Sequence, residues 1–193
     1  MELTLNPNRR YTYADYLTWW DDKRRELIDG FIKVMSPAAS LSHARISGRI
    51  YHAVYNYIAL HGGQCEVFTA PFDVRLPKNG EKEDNEIHTV VQPDICLVCD
   101  PSKLDEHGCI GAPDMIVEVL SPSTRKHDLN DKYRLYETSG VKEYWVAEPK
   151  SDITVFLLQE DGAYAKGIVY TGKVKIPVHS LPGLEIDMEK LFV

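Results

Sequence analysis

Apolar residues recur along this chain at two periods, and the switches between them outline its elements. Spacings of three and four join Ile46, Ile50, Val54, Tyr57 and Ile58, which predicts an amphipathic helix over 42–61 that stops at Gly62-Gly63. His43 shares its apolar face. A second helix is predicted over 124–139, with Leu129, Tyr133 and Tyr136 on one stripe and Gly140 as its end. A short one is predicted over 11–22, capped by Thr12 with Asp15 three residues on. Strand-like runs occupy 25–28 and 31–35, flanking Asp29-Gly30, a pair suited to a two-residue hairpin turn. Further runs fall at 65–76, 94–98, 115–120 and 141–147. The polar, turn-rich segment 77–88 is expected to be the most mobile. From 153 to 193 apolar runs alternate with turn signals at Asp161-Gly162, Thr171-Gly172 and Pro182-Gly183, a β-rich finish. The succession strand, helix, strand is compatible with a parallel crossover. The expected layout is therefore α/β or α+β, a mixed central sheet flanked by helices.

Composition narrows this picture. The chain has 193 residues, 44% of them hydrophobic and 26% charged, which suits one soluble domain, 1–193, with a substantial core. No apolar stretch is long enough to span a membrane, and the Met1-Glu2-Leu3 start lacks the features of a secretion signal, so a cytoplasmic protein is expected. A formal net charge of -7 argues against coating nucleic acid through bulk electrostatics. Local basic clusters remain at Arg9-Arg10, Lys23-Arg24-Arg25, Arg125-Lys126 and Lys132 with Arg134, each readable as solvated surface. Cys96 and Cys99 form a C-x-x-C within one strand-like run, where alternation sends them to opposite faces and so opposes a shared zinc. Cys65 and Cys109 lack suitable ligand spacing, and all four cysteines are expected to be reduced, partly buried thiols.

Two acids interrupt the apolar runs. Asp94 follows Pro93 at the start of 94–98, and Glu118 lies within 115–120. Alternation puts Ile116, Glu118 and Leu120 on one face, and Gln92, Asp94 and Cys96 on one face of the other run. If these strands are neighbours, the carboxylates approach closely and call for a cation. Oxygen donors suit magnesium or manganese, and such an ion lowers the pKa of a bound water and polarises a phosphoryl group, as phosphodiester hydrolysis requires. A glycosidase pair is the competing use of two acids, but it belongs at the aromatic rim of a sugar cleft rather than inside apolar runs. The structural alternatives are a cap or turn acid for Asp94 and a buried ion pair for Glu118.

These motifs carry a resemblance. Pro93-Asp94, then Glu118 on a strand followed by a helix, resembles the PD-(D/E)XK nuclease superfamily. More closely, Glu26 to Gly30, Ser42-His43, Gln92 to Ile95, Ile116 to Thr124, Asp128 to Lys132 and Tyr136 to Trp145 resemble the Uma-two endonuclease family. The resemblance implies a restriction endonuclease-like fold and a metal-dependent endonuclease acting on DNA. It also implies Mg2+ or Mn2+ on Asp94, Glu118 and the carbonyl of Val119, with Glu26 as a further acid. The superfamily lysine, two residues after the strand acid, is Leu120 here. Lys132 is the candidate replacement, against an i, i+4 pair with Asp128 on a solvated face. His43 is a candidate catalytic base or phosphate contact, against a satisfied core histidine. For Glu26 the alternative is a hairpin salt bridge with Arg24 or Lys33. Symmetric cutting of duplex DNA calls for a homodimer, which Trp19 and Trp20 could build. The missing lysine and the acidic charge also permit a non-catalytic nucleic-acid-binding or regulatory module.

Overall fold

The computed structural model describes residues 3–21, 23–35, 39–121, 128–149 and 151–192. Thr12 caps the first helix as its spacing predicts. Its hydroxyl accepts the Asp15 amide while the Asp15 carboxylate accepts the Thr12 amide at 3.0 Å. Yet α1 (Tyr13–Tyr16) is a single turn, shorter than the 11–22 helix expected. Past it the chain is drawn back by side chains: Trp19 packs edge-on against Tyr11 with ring centroids 5.3 Å apart, and the Asp21 carboxylate takes the Arg25 guanidinium. Trp19 is therefore partly buried, whereas Trp20 is 64% exposed. The pair expected to act together on a surface is split.

The strands β1 (Arg25–Ile28) and β2 (Phe31–Val34) form the expected hairpin. Asp29 and Gly30 both have positive φ, 53° and 83°, the combination that matches the twist of the flanking strands. Gly30 is also required by proximity, because a Cβ there would meet the Tyr11 carbonyl at 2.9 Å.

Twelve further strands complete the β structure: β3 (Glu66–Thr69), β4 (Val74–Arg75), β5 (Val90–Val91), β6 (Ile95–Val98), β7 (Leu104–Asp105), β8 (Gly108–Ile110), β9 (Met115–Val119), β10 (Glu143–Ala147), β11 (Asp152–Leu157), β12 (Ile168–Thr171), β13 (Lys175–Pro177) and β14 (Glu185–Asp187). One sheet runs β2-β1-β5-β4-β8-β7, a second β12-β11-β10-β9-β6-β3, and β13-β14 stand as a pair. The single run expected over 65–76 divides at Pro71, which has no amide to offer a ladder, so β3 and β4 serve different sheets. Segment 77–88 is strandless, as expected, but it is anchored. Ile87 is fully buried, and the carbonyls of Asp84 and Ile87 accept the amides of Ala14 and Tyr13 at 2.9 and 2.8 Å.

The second sheet is mixed because β9 and β10 run parallel while their outer neighbours are antiparallel. The two are linked by the predicted helical crossover. Its described part is a π-helical turn, Asp128–Lys132, followed by α3 (Tyr133–Ser139), which ends at Gly140 with φ 88°. The start of the expected helix, with the Arg125-Lys126 cluster, lies outside the described residues. The wider π turn shifts the helical phase, so Lys132 enters the buried face and Leu129, expected on the apolar stripe, is 38% exposed.

Alternation along β9 divides the core. Met115, Val117 and Val119 belong to the layer of α2 (Leu41–His61), through its Ile46, Ile50 and Val54, which α4 (Met188–Leu191) and β13-β14 close from outside. Ile116 and Leu120 belong to the opposite layer with Leu135 and Tyr136 of α3.

The cysteines correct one expectation. Cys65 and Cys99, the next pair beyond Glu66↔Val98 on the β3–β6 ladder, form a disulfide and are not reduced thiols. Cys96 lies in the α3 layer, and it and Cys109 are free and buried. Burial pushes both thiols up, that of Cys109 to about 11.

The hairpin turn and the disulfide can each be checked directly. Gly30→Ala should lower unfolding free energy by about 1–3 kcal/mol in denaturant titration, because the residue must hold positive φ against a carbonyl; an unchanged midpoint would refute the turn. Thiol titration of denatured, unreduced protein should find two of the four cysteines reactive, and all four after reduction; four from the outset would refute the bridge.

Candidate active site

Glu26 reaches the interior from β1, Glu118 from β9 and Lys132 from the π turn, and each is at most 4% exposed. The Lys132 ammonium joins them: Nζ lies 2.9 Å from Oε1 of Glu26 and donates to Oε1 of Glu118 at 2.8 Å. The Tyr136 hydroxyl donates to the same Glu118 oxygen at 2.7 Å. Desolvation, then the charges of Glu118 and Glu26, hold the Tyr136 phenol far above its ordinary pKa, so it stays a neutral donor. Isolated ions in this position would each cost several kcal/mol, and the shared ammonium is what offsets that cost. Lys132 is thus not on a solvated face, and Glu26 meets it inside the protein.

Glu26 is positioned by a residue the sequence did not single out. The amide of Gln92 donates to Glu26 Oε1 at 2.9 Å. The Gln92 side chain is itself clamped. Its Oε1 accepts from Arg24 Nε and Nη2 at 3.2 and 3.1 Å, and its Nε2 donates to Asp73 at 2.8 Å and to the Tyr16 hydroxyl at 3.2 Å. Tyr13 adds a hydrogen bond to the other Asp73 oxygen at 2.9 Å. The sequence signal for Gln92 is its place beside Pro93-Asp94 on the Asp94 face. In the sequence Tyr136 reads as part of a helix stripe and of the resemblance but not as a site residue, and Asp73 and Tyr16 carry no signal.

Asp94 stands at the entrance to β6. The last registered pair between β6 and β9 is Ile95↔Val117, and the next step in that antiparallel ladder sets Asp94 opposite Glu118. The strands are neighbours, as the metal reading requires. The two carboxylates are nevertheless held by different partners. Glu118 bonds to Lys132 and Tyr136, whereas Asp94 Oδ2 accepts the Val119 amide at 2.7 Å and lies 3.0 Å from His43 Nε2 at the start of α2. Both of these contacts fall on Oδ2, and the Asp94 side chain retains 21% of its exposure. His43 points inward as its helix face predicts and meets the candidate site rather than apolar core alone.

Among the described residues no group of three or more His, Cys, Asp or Glu side chains is arranged to hold a metal ion. Two carboxylates at adjacent strand ends, the Val119 carbonyl and water would make an all-oxygen set, which fits a hard divalent cation and not zinc or copper. Leu120, at the place of the superfamily lysine, is 3% exposed in the apolar layer around α3 and donates its amide to Ala147 at 2.9 Å. A lysine there would lie in that apolar layer.

Comparison with known proteins places the chain in a family. The profile of the Uma2 family, described as "Putative restriction endonuclease", matches residues 13–189, from the first residue of α1 into α4. The "Uncharacterized protein slr1290" of Synechocystis sp. is 29% identical over 160 residues, 81% of this chain and 78% of its own. A crystal structure from Anabaena variabilis, titled as that of "a putative nuclease belonging to DUF820", superimposes with a TM-score of 0.71 at 19% identity. It covers 94% of this chain and 97% of that one, which establishes a shared fold. The mixed α+β architecture is restriction endonuclease-like, as expected, and the chain belongs to the Uma2 family.

Proposed function

We propose that this protein is a metal-dependent endonuclease that hydrolyses DNA phosphodiester bonds, working as a homodimer in the cytoplasm. One observation carries the reading: a buried lysine shared by Glu26 and Glu118, with Asp94 opposite Glu118 in the strand ladder. Mg2+ or Mn2+ on Asp94, Glu118 and the Val119 carbonyl would polarise the scissile phosphoryl group and acidify a water. The remaining work falls to the chain. Lys132 supplies a fixed positive charge where the phosphate gains negative charge, in a site already stripped of water. Glu26, held by the Gln92 amide, keeps that ammonium in place. His43 and the Val119 amide orient Asp94. The Tyr136 hydroxyl fixes the Glu118 carboxylate. The described residues contain no helix long and apolar enough to cross a membrane.

Plasmid nicking tests the reading. The purified protein should nick supercoiled DNA with Mg2+ or Mn2+ and stop on chelation. Lys132→Met should slow nicking about 100- to 1,000-fold, the effect of removing one preorganised electrostatic donor, and Asp94→Ala and Glu118→Gln should abolish it together with metal binding in calorimetry. Metal binding by the native protein with no cleavage of any DNA would instead mark a non-catalytic module.

Stability should respond differently from activity. Lys132→Met strands two buried carboxylates and should cost about 3–5 kcal/mol by denaturant unfolding. Glu118→Gln should cost less, since Glu26 still holds the ammonium and the new amide still accepts from Tyr136. The reverse order would count against Lys132 as the shared partner.

A further inference from the structure

Beside the carboxylates lies a cavity of about 280 Å3 whose lining includes Tyr16, Trp19, Lys23, Arg24 and Gln92. The volume sits at the small end of ligand sites, which begin near about 300 Å3. Gln92 is a wall of this cavity and also the residue whose amide holds Glu26. Asp94 is two residues further on, at most about 7 Å along the chain. Whatever occupies the cavity is therefore next to the proposed cleavage centre.

The lining separates into two kinds of cation. Arg25 is structural: both its terminal nitrogens meet the Asp21 carboxylate, and its guanidinium covers Trp19 at 5.5 Å. Arg24 and Lys23 are exposed, and among the described residues neither forms an ion pair with a carboxylate. Arg24 is oriented by a neutral partner, the Gln92 carboxamide, which fixes its geometry without cancelling its charge. Two exposed cations stand at a cavity whose one lining carboxylate, Asp21, is held by Arg25, and in a chain of net charge -7 they select an anion. The aromatic part selects a flat ring. Tyr16 and Trp19 stand 5.3 Å apart and tilted by 53°, and indole is a strong stacking surface for a nucleobase. The Gln92 amide already uses both its oxygen and its nitrogen within the protein, so it is not available to read a base edge.

We infer that this cavity receives one unpaired nucleotide of DNA beside the scissile phosphate, its base against Trp19 and its phosphate on Arg24 and Lys23. The inference rests on the nuclease reading and adds its substrate class: single-stranded, frayed or flapped DNA rather than intact duplex. Stacking without edge contacts makes recognition tolerant of base identity.

Fluorescence anisotropy with end-labelled oligonucleotides, in chelator so that nothing is cut, tests it. Single-stranded DNA should bind the native protein at least about tenfold more tightly than the same sequence as blunt duplex. Lys23→Ala/Arg24→Ala, the second of which also removes a partner of the Gln92 carboxamide, should weaken single-strand binding about tenfold or more. It should also flatten the dependence of log affinity on log salt by about 0.7 for each phosphate no longer neutralised. Trp19→Leu should weaken single-strand binding and leave the salt slope unchanged, and Glu118→Gln should keep the single-strand preference. Equal or tighter duplex binding, tighter binding of single-stranded RNA, or native affinity in the Lys23→Ala/Arg24→Ala protein would overturn the inference. Nicking without a single-strand preference sinks the cavity's role alone, and a single-strand preference without nicking sinks the nuclease reading alone.

Discussion

A single ammonium inside the protein ties together elements that are far apart in the chain. Lys132 pairs with Glu26 from the hairpin and Glu118 from the central parallel strand, and in doing so it lets two carboxylates exist where either alone would be expelled or protonated. The groups around it serve this arrangement. Tyr136, one α-helical turn beyond Lys132, delivers its hydroxyl to the same Glu118 oxygen. Gln92 brings a backbone amide to Glu26, and its own side chain is locked by Arg24, Asp73 and Tyr16. A polar network is tolerable in an apolar layer only when each member is satisfied, and this one draws on widely separated segments to achieve that.

The site also sits where two layers meet. Glu118 faces α3, while Asp94, opposite it at the next step of the ladder, is held by the Val119 amide and by His43 at the start of α2. The end of the β6–β9 pair is thus the point at which a helix from each layer contributes a nitrogen to a carboxylate, His43 from above and Lys132 from below. Glu26, His43, Asp94, Glu118, Lys132 and Tyr136, from separate segments of the resemblance, come together here.

Much of this was legible in the residues because it depends on local rules. The hairpin follows from Asp29-Gly30, α2 from its apolar spacing, the facing of Glu118 from period two, and the parallel crossover from strand, helix and strand in succession. What was not legible depends on interactions between distant segments. The 11–22 helix fails because Trp19 and Asp21 find Tyr11 and Arg25 instead of continuing the helix. Cys65 and Cys99 are paired by strand register, 34 residues apart, which spacing alone cannot reveal. Leu129 and Lys132 exchange roles because a π turn changes the phase of a stripe that a regular helix would have kept. Lys132 stands out in the sequence only as a candidate for the lysine absent at Leu120, and its burial comes only with the tertiary structure.

Under the nuclease reading, a charged group carried by the crossover rather than by the strand changes when the centre comes into being. A lysine at position 120 would travel with Glu118 on one rigid strand and would be present as soon as that strand formed. Here the strand carries only the acid, and the cation arrives when the linking helix settles onto the sheet. Under the nuclease reading, a chain still emerging or only half collapsed holds no competent centre, and a DNA-cutting protein built this way is silent until its own assembly is finished.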